Sequence, residues 1–544
     1  MRIPYFILFL RRFLHLFIQV ISLRRENGLK TLILRKNKYF AQMKTIEEIL
    51  SQNDALRVHT LLTARKKPFK MSLAESERQY NVEHHRIFDE KYRPKKSIQV
   101  PTGKKNPMTG KMTYKTKRVD RVRIGIPVQK TLVDRATGFL VGNKVDYKMT
   151  SNGAEVRNAD GKQQALFDGV KLVYHQNKMK YFDKKLVRLV FRAREAAELW
   201  YMPTNKNGNI DLKGKMRVKL LSPLLGDNLY PHFNDYGDMD GFAREYKVYD
   251  EVGTAVNHFD VYTAQYVYQY VDNGTAWTLQ GGAPKLHGFT KIPIVYYRRE
   301  QSKWEDVQWA IERVEDCISN WGDTNDYFGT PKYFVKGKLA GFAEKGEQGA
   351  VFEGEKDTQM SVLSWDSSPE SVKGEIANLF SIIFSYSHSA DVSFERMKEI
   401  GNNTSGVALR LMFIDPHMNA DDETELFGEM FTRRSNIVAN GICHTGIITP
   451  GIPESIADGV EFEPQFTPYL PKDEAQLLNL ITTATGGQST TSKKRAIELN
   501  PLNDDPQRIE EEMKQEQQEA LNLQAQMMGT GGSATGSNSV ISEE

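Results

Sequence analysis

The stretch from Gly401 to Pro471 restricts the fold of this chain more than any other part. A polar break at Gly401 leads into the apolar run Val407–Leu411, and a helical pattern continues from there towards Gly441. A strand-like piece, Val460–Phe466, follows before Pro471. Pro416 falls inside the helical pattern, where proline removes a hydrogen bond and clashes with the preceding turn. The sequence therefore predicts a long helix that is kinked or divided at Pro416, followed by one strand.

Charge is distributed unevenly along the chain. The formal net charge is +4, but residues from Arg57 to Arg123 include 19 Lys/Arg against 6 Asp/Glu, whereas acidic residues dominate from Glu498 to Glu519. A basic block and an acidic block on one chain indicate an oriented assembly with one surface facing a polyanion. Solvated surface charge without a partner remains the alternative.

The most basic segment is residues 91–118, which contain ten Lys/Arg and no acid. Proline and glycine recur in this segment and break regular elements, so we expect a mobile, irregular loop. Two interpretations stay open. The loop contacts nucleic acid, because each phosphate that a cation neutralises releases a counterion, or it is a solvated insertion.

The N-terminal residues 1–42 contain an apolar run, Ile3–Leu23, with Arg11 and Arg12 in its middle. Each charge at the centre of a bilayer costs about 2.5–3.5 kcal/mol on insertion scales, so a spanning helix is not predicted. A secretory signal is poorly supported because no small-residue cleavage site follows. The segment is either a basic amphipathic helix on a membrane surface or sequence upstream of a start at Met43.

Motifs that carry catalysis or metal binding are not found. The chain contains no GxxxxGK[ST] phosphate loop. His84-His85 is interpreted as a surface pair, because neighbouring side chains on a helix point about 100° apart. The acidic run Asp421–Glu425 is typical of a solvated or intersubunit face. Cys317 and Cys443 have neither zinc-site nor disulfide-framework spacing, so reduced thiols are expected, with no catalytic residue, metal or cofactor.

One helix is predicted from apolar residues that recur at steps of three and four. The pattern indicates a narrow stripe that faces a partner helix, although periodicity alone favours an ordinary core helix. The stripe residues are Trp304, Val307, Ile311, Val314, Ile318 and Trp321. A second helix is predicted after Ser367, with Pro369 in its first turn.

Residues 154–293 combine a predicted helix, Asp183–Glu195, with strands rich in tyrosine and valine. Tyr246–Tyr249 and Val261–Tyr270 alternate or nearly alternate, which is the period of half-buried antiparallel strands. Helices and antiparallel strands in separate stretches favour a mixed α+β fold.

Several segments occur in the order known from one viral family. Ile124–Gly142 begins with a helix after Pro127, Ile292–Tyr297 precedes the striped helix, and Gly406–Leu409 precedes Val460–Phe466. This order resembles the portal proteins of tailed bacteriophages, over about Met43 to Glu519. The resemblance implies an α+β portal fold with wing, stem, clip and crown, long stem helices and a β-rich wing.

The same resemblance implies a division of the chain into regions. It assigns 1–42 to an N-terminal extension, which is non-native if the start is at Met43, 43–300 to the wing with the basic loop 91–118, 301–328 to the first stem helix, 329–366 to the clip, 367–392 to the second stem helix, 393–405 to the tunnel loop, 406–470 to a connecting helix and strand, 471–528 to the crown and 529–544 to a disordered tail.

Particular residues receive roles from the resemblance. The stripe residues would pack the stem, while Glu305, Asp306, Glu312, Glu315 and Asp316 would face neighbours or the channel. In the clip, a docking role falls to Lys332, Lys336 and Lys338. In the tunnel loop, which on sequence alone could be a plain interhelical turn, the DNA-facing residues would be Phe394, Arg396, Lys398, Asn402, Asn403 and Thr404.

The function implied is a ring of copies, usually twelve, at one capsid vertex of a virion, assembled in the host cytoplasm. Double-stranded DNA would pass through it during packaging and ejection, and its partners would be the terminase large subunit, head-tail adaptor proteins and the major capsid protein. Two other classes remain: a DNA-processing enzyme, which a magnesium-dependent cleavage assay would detect, and a peripheral membrane protein that uses Ile3–Leu23, which liposome flotation would detect.

Overall fold

The structure is a computed structural model that divides the chain into two compact units, Met1–Ala390 with Asp415–Pro468, and Asp391–Ile414 with Tyr469–Glu544. The predicted extension 1–42, the predicted tunnel loop 393–405 and residues 531–544 of the predicted tail lie outside the described residues. The structure describes residues 45–51, 54–204, 211, 215–249, 253–272, 274, 276–328, 332–336, 359–363, 369–389, 413–467, 474–486, 489–503 and 505–530.

The described part of the first unit begins with three short helices. Each is capped by the side chain of the residue before it, which accepts a hydrogen bond from a first-turn N–H: Thr45 from Glu48, Asp54 from Arg57 and Ser72 from Glu75. Two single 3₁₀ turns follow at Val82–His84 and Arg86–Phe88. The helices are α1 (Ile46–Leu50), α2 (Ala55–Ala64) and α3 (Leu73–Tyr80).

The basic segment forms a β-hairpin, so the expectation of an irregular loop was wrong. Strands β1 (Lys96–Lys105) and β2 (Met112–Val119) pair antiparallel, with a bulge between Pro101 and Lys105. Gly103 in the bulge and Gly110 in the turn take positive φ angles of 74° and 65°, which glycine adopts without steric cost. Proline is tolerated because both strands of a two-stranded ribbon are edge strands. We call residues 96–119 the basic hairpin.

Helices carry most of the main core of the first unit. The aromatic rings of Phe191, Phe427 and Phe431 are fully buried, and Phe427 packs edge-on against Phe191 at a centroid distance of 5.9 Å. The helices are α4 (Val128–Val141), α5 (Gly161–Gln176), α6 (Met179–Ala193), α7 (Gln308–Phe328), α8 (Pro369–Tyr386), α9 (Ile414–Thr445) and α10 (Glu454–Gly459).

Phe413 forms a turn directly before the helix that contains Pro416, which agrees with a division of the helical pattern near this proline; residues 390–412 lie outside the described residues. Helix α9 begins at Ile414, which places Pro416 in the first turn. The first N–H groups of a helix have no intrahelical acceptor, so proline removes no bond there. The helix also continues past Gly441 to Thr445. Similarly, α6 begins at Met179, four residues before the predicted start.

All strand pairs among the described residues are antiparallel. The largest sheet has six strands in the order β11-β10-β9-β8-β7, with β12 beside β10; β13-β5-β6 and β16-β3-β4 form three-stranded sheets, and β14-β15 pair alone. The strands are β3 (Asp146–Ser151), β4 (Ala154–Glu155), β5 (Glu195–Tyr201), β6 (Arg217–Leu221), β7 (Asn228–Phe233), β8 (Met239–Tyr249), β9 (Ala255–Tyr262), β10 (Tyr266–Asp272), β11 (Trp277–Leu279), β12 (Lys285–Leu286), β13 (Ile294–Arg298), β14 (Lys332–Lys336), β15 (Gln359–Leu363) and β16 (Glu461–Gln465).

Two strand predictions have different outcomes. The strand after α9 is confirmed as β16, in which Phe462 pairs with Met149 and stacks on Phe167 of α5 at 5.4 Å. The segment Val261–Tyr270, by contrast, is a hairpin and not one strand. The chain reverses in a tight turn, in which the Thr263 N–H donates to the Tyr266 carbonyl at 2.9 Å. Apolar and polar residues alternate on both sides of this turn, so the sequence pattern alone does not reveal it.

A buried ionic cluster ties α9 to β5 and α6. Arg434 is fully buried and lies 2.9 Å from Glu198 Oε2 and 2.8 Å from Asp183 Oδ1. Tyr297 and Trp200 donate to the same Glu198 carboxylate at 2.6 and 3.0 Å. Burial raises the pKa of Asp183 to about 6, and the nearby Arg434 charge opposes that shift. Because a buried charge without a partner is costly, this cluster fixes the relative positions of the three elements.

The second unit contains three helices among its described residues. Ser492 caps the middle one by accepting from the Arg495 N–H at 3.2 Å. Acidic residues on the last helix pair locally, with Glu510 at 2.9 Å from Lys514 and Glu512 at 2.8 Å from Arg508. The helices are α11 (Glu474–Thr485), α12 (Lys493–Leu499) and α13 (Pro506–Thr530).

Candidate functional site: helices α7 and α8

The predicted apolar stripe points into the core of its own subunit. Four of its residues are buried, and Ile318 and Trp321 are half-buried. Trp304 lies in the turn before α7, where its indole N–H donates to Gln79 Oε1 at 3.0 Å. A neighbouring copy therefore cannot pack on this stripe without unfolding the subunit. The buried residues are Trp304, Val307, Ile311 and Val314.

Helix α8 packs on α7 through an apolar seam with a polar edge. Leu379 and Ile383 are buried in the main core. At the edge, the Arg313 guanidinium donates twice to Glu375 Oε1, at 2.9 and 2.7 Å. The hydrogen bond from Arg313 lowers the pKa of the Glu375 carboxyl. Both side chains are largely exposed, so this ion pair adds little stability, and the apolar seam holds the two helices together.

The two cysteines are free thiols. Cys317 sits at the α7–α8 seam, with its Sγ 3.4 Å from Glu375 Oε1. Burial raises its pKa to about 11, with the hydrogen bond to Glu375 in support. Burial likewise raises the pKa of Cys443 to about 11. Both thiols stay protonated near neutral pH and are weak nucleophiles there.

An extended segment, residues 122–126, runs along the polar face of α7; we call it the strap. Its alternate N–H groups donate to side chains spaced four apart on the helix: Val122 to Asp323 at 2.8 Å, Ile124 to Ser319 at 2.9 Å and Ile126 to Glu315 at 2.9 Å. Two extended residues advance about 6.6 Å and four helical residues about 6.0 Å. The two periods match closely enough for three consecutive contacts.

Glu315 is the buried centre of this contact. Its Oε1 also lies 2.6 Å from His85 Nδ1, and both side chains are at most 3% exposed. The interpretation of His84-His85 as a surface pair was therefore wrong for His85. The expectation that Glu315 faces a neighbour or the channel was also wrong, because both of its partners lie in its own chain, about 190 to 230 residues earlier.

Two other acidic residues of α7 also pair within the subunit. Glu312 lies 3.0 Å from Arg86, and Asp316 accepts from the Tyr92 hydroxyl at 2.6 Å. The hydrogen bond to Asp316 raises the pKa of that tyrosine. In the acidic run at 421–425, Glu423 is buried and lies 3.0 Å from Arg299 and 2.9 Å from Lys303, so this part of the run is not a solvated face.

The C-terminal part of α7 holds the base of the basic hairpin. Arg93 lies before β1 and Arg121 after β2, and their guanidinium groups are 2.7 and 2.9 Å from Asp323 Oδ2. Burial favours a higher pKa for Asp323, but the Val122 N–H and the two arginines outweigh it and lower that pKa. A Cβ at Gly322 would lie 2.7 Å from Val122 Cγ1, so glycine permits this close approach.

The other predicted site residues are only partly described. Lys332 and Lys336 end the strand β14, which pairs with β15, while Lys338 and the six tunnel-loop residues lie outside the described residues. Sequence reasoning missed His85, Arg93 and Arg121 as partners of α7. The isolated Gly322 in a helical pattern was the one local signal of close packing.

Within the described ranges, histidine, cysteine and carboxylate groups nowhere cluster as a metal site requires. Of the helices that the structure describes, none has the length and apolarity needed to cross a bilayer.

Comparison with known proteins identifies the class. Residues 61–523 match the family model of phage portal proteins, SPP1 Gp6-like. Among solved structures, a chain in the neck of an empty GTA particle, computed with C6 symmetry, is similar with a TM-score of 0.36 and 10% identity, covering 69% of this chain and 88% of that chain. A chain in the virion of a native gene transfer agent (GTA) particle is similar with a TM-score of 0.35 and 11% identity, with the same coverage. A search of curated proteins gave no match.

The matched residues span most of the chain, so the molecule belongs to the class of phage portal proteins. It belongs to the SPP1 Gp6-like family of phage portal proteins. The predicted resemblance to phage portal proteins and the predicted α+β fold class are confirmed. That family is structural and not enzymatic.

Proposed function

We propose that this chain assembles head-to-tail into a closed ring, a dodecamer, at one capsid vertex, and that double-stranded DNA passes through the ring during packaging and ejection. The family match over residues 61–523 carries the proposal. Heterologous contacts between identical subunits generate a ring when the rotation closes. Helices α7 and α8 are the stem in this proposal, since they form a continuous packed pair of 21 and 18 residues.

Exposed aromatic side chains on these two helices support an interface between copies. Trp309 and Tyr327 on α7 are 59% and 56% exposed, and Tyr386 on α8 is 70% exposed. Large aromatic rings left in water in one region favour a partner surface. The buried stripe from Trp304 to Val314 faces its own core, so the ring contacts use these outer rings instead.

Ring assembly can be tested with Trp309→Ser. The substitution removes an exposed ring, so the fold is retained while the interface weakens. Tyr181→Ser is the matched control, because Tyr181 is 63% exposed on α6, away from the proposed interface. Light scattering after size-exclusion chromatography and negative-stain microscopy measure the mass and shape. Rings for the native and control proteins and smaller species for Trp309→Ser are expected. A native protein that stays monomeric under all salt conditions contradicts the proposal.

Within the ring, the loop 393–405 is proposed to contact DNA transiently and without sequence preference. Arg396 and Lys398 supply phosphate attraction that weakens with salt, Asn402, Asn403 and Thr404 supply exchangeable hydrogen bonds, and Phe394 begins the loop. Replacing Arg396 and Lys398 by alanine is expected to leave rings intact and lower the DNA packaged per particle. Equal packaging by the double variant, with rings seen by microscopy, removes both residues from the mechanism.

The region 329–366 is proposed as the clip, which docks the terminase large subunit and later the head-tail adaptor proteins; the major capsid protein surrounds the ring. Lys336, exposed at the end of β14, together with Lys332 and Lys338, presents positive charge to these partners. Charge reversal of the three lysines is expected to weaken terminase binding in a pull-down without changing ring mass. Unchanged terminase binding would assign docking to another surface.

A further inference from the structure

The basic hairpin carries a concentrated positive charge that the rest of the described subunit leaves unneutralised. Residues 96–119 contain seven Lys/Arg and no Asp or Glu. No carboxylate in the described part of the chain lies within ion-pair distance of any of these seven cations. Lys95 and Asp120, at the base, pair with each other at 2.8 Å. The positive charge of the basic hairpin is therefore available to a partner.

The basic hairpin is anchored at its base and exposed along its length. Arg93 and Arg121 fix its base to Asp323, and Lys96 Nζ lies 5.8 Å from the centre of the Tyr327 ring. Beyond this base the side chains of both strands are exposed or half-exposed, with Met108 in the turn 97% exposed. Ten residues of strand reach about 33 Å. A rigid base with an exposed ribbon suits a partner that approaches from outside the subunit.

The register of the hairpin distributes the cations over both faces. Lys117 is opposite Ile98 and Lys115 opposite Val100, so both lysines lie on one face, about 6.6 Å apart along β2. Arg118, one residue on from Lys117, lies on the other face with Tyr114. Lys104, Lys105 and Lys111 surround the turn. A two-stranded ribbon of this kind fits the major groove of B-form DNA, which is about 12 Å wide.

We propose that the basic hairpin is an arm that binds the phosphate backbone of duplex DNA without sequence preference, separate from the loop 393–405. The inference deepens the proposed function, on which it rests for the presence of duplex DNA. A uniform cationic ribbon matches a polyanion with one charge per 1.7 Å of axis. Lysine and arginine contacts to phosphate hold position and carry no sequence information.

A second copy of the chain is the competing partner, and its charges fit less well. The acidic helix α13 already pairs Glu510 with Lys494 and Lys514, and Glu512 with Arg508. On α7, Glu312, Glu315 and Asp323 are bound by the strap and its neighbours. Part of the acidic surface on another subunit is therefore already neutralised by cations, whereas DNA phosphates are continuous.

The test is a salt titration of DNA binding by the full-length protein. Fluorescence anisotropy follows a labelled 24-base-pair duplex between 50 and 200 mM NaCl, with two unrelated sequences. The arm variant is Lys115→Gln, Lys117→Gln and Arg118→Gln. The matched control removes three exposed lysines from α5 and α6, Lys162→Gln, Lys180→Gln and Lys185→Gln, which have no ion pair among the described residues.

Each phosphate contact contributes about 0.9 to the slope of log Kobs against log salt. The arm variant is therefore expected to lose about 2.7 of that slope equally for both sequences, and the control to keep it. A tip variant, Lys104→Gln, Lys105→Gln and Lys111→Gln, repeats the measurement if circular dichroism shows that the first variant has lost its fold. An unchanged slope in folded variants, or an equal loss in the control, overturns the proposal.

Ring mass is measured on the same samples. A change in ring mass at an unchanged DNA slope assigns the hairpin to a contact between copies and overturns the inference, while the proposed portal ring stands. A native protein that binds DNA through the hairpin but forms no ring contradicts the proposed assembly and leaves this inference standing.

Discussion

Replacing Glu315 by alanine should release the strap from α7. The substitution leaves the Ile126 N–H without its acceptor and removes the carboxylate beside His85, both inside a buried contact. An orphaned buried donor costs about 1–3 kcal/mol. Allowing for partial relaxation of the strap, we expect the free energy of its local opening to fall by about 3 kcal/mol. At 1.4 kcal/mol per tenfold, the equilibrium constant for opening rises by a factor of about 100.

Hydrogen-exchange mass spectrometry on peptides that cover residues 120–128 measures this directly, because exchange follows local opening. Glu315→Gln keeps an acceptor oxygen and the side-chain volume, so its peptides should exchange much more slowly than those of Glu315→Ala. Asp326→Ala is the control on the same helix, since Asp326 is exposed. Peptides from α6 should not change in any variant. Equal exchange of the strap in native and Glu315→Ala proteins would refute the three-point contact.

Three further outcomes follow from the same structure. Ile311→Asp buries a carboxylate at a fully buried position and should cost more than about 3 kcal/mol, seen as lost soluble yield, whereas Trp309→Ser should stay soluble. Trypsin should cut first at Lys104, Lys105 and Lys111 around the hairpin turn, and early cuts in α7 would contradict the exposed hairpin. Because burial raises the pKa of both Cys317 and Cys443 to about 11, iodoacetamide at pH 8 should modify neither in the native protein and both in guanidinium; modification should rise as the pH approaches 11.

Local patterns were sufficient where a short-range rule decides the outcome. The step of three and four from Trp304 to Trp321 predicts the α7 region, because side chains at that spacing share one helix face. Pro369 in a first turn marks the start of the helix predicted after Ser367, and the observed helix begins at Pro369. The strand after α9 followed from its composition alone. In each case the information lies within a few residues of the feature that it specifies.

The failures share a different cause, which is a partner far away in the chain. The acids of α7 look like a solvated face on a helical wheel, yet Glu315 is buried because residues 85 and 126 cover it. Proline and glycine in residues 91–118 predict an irregular loop, but a two-stranded ribbon has only edge strands, where Pro101 is tolerated and Gly103 accommodates a bulge. The residues predicted for a tunnel loop lie outside the described residues, and the role proposed for them depends on the proposed ring.

The strap connects the base of the basic hairpin to helix α7. Asp323 accepts a hydrogen bond from the Val122 N–H and pairs with both arginines at the hairpin base. A force on the basic hairpin therefore acts on the C-terminal part of α7. Ser319 and Glu315 hold the same strap one and two turns earlier along that helix. If DNA binds the hairpin, the strap contacts that resist displacement are these three, and weakening Glu315 should let the arm move relative to α7 without altering its charge. DNA affinity of Glu315→Ala should then keep the native salt slope while strap exchange accelerates, which separates the attachment of the arm from its binding.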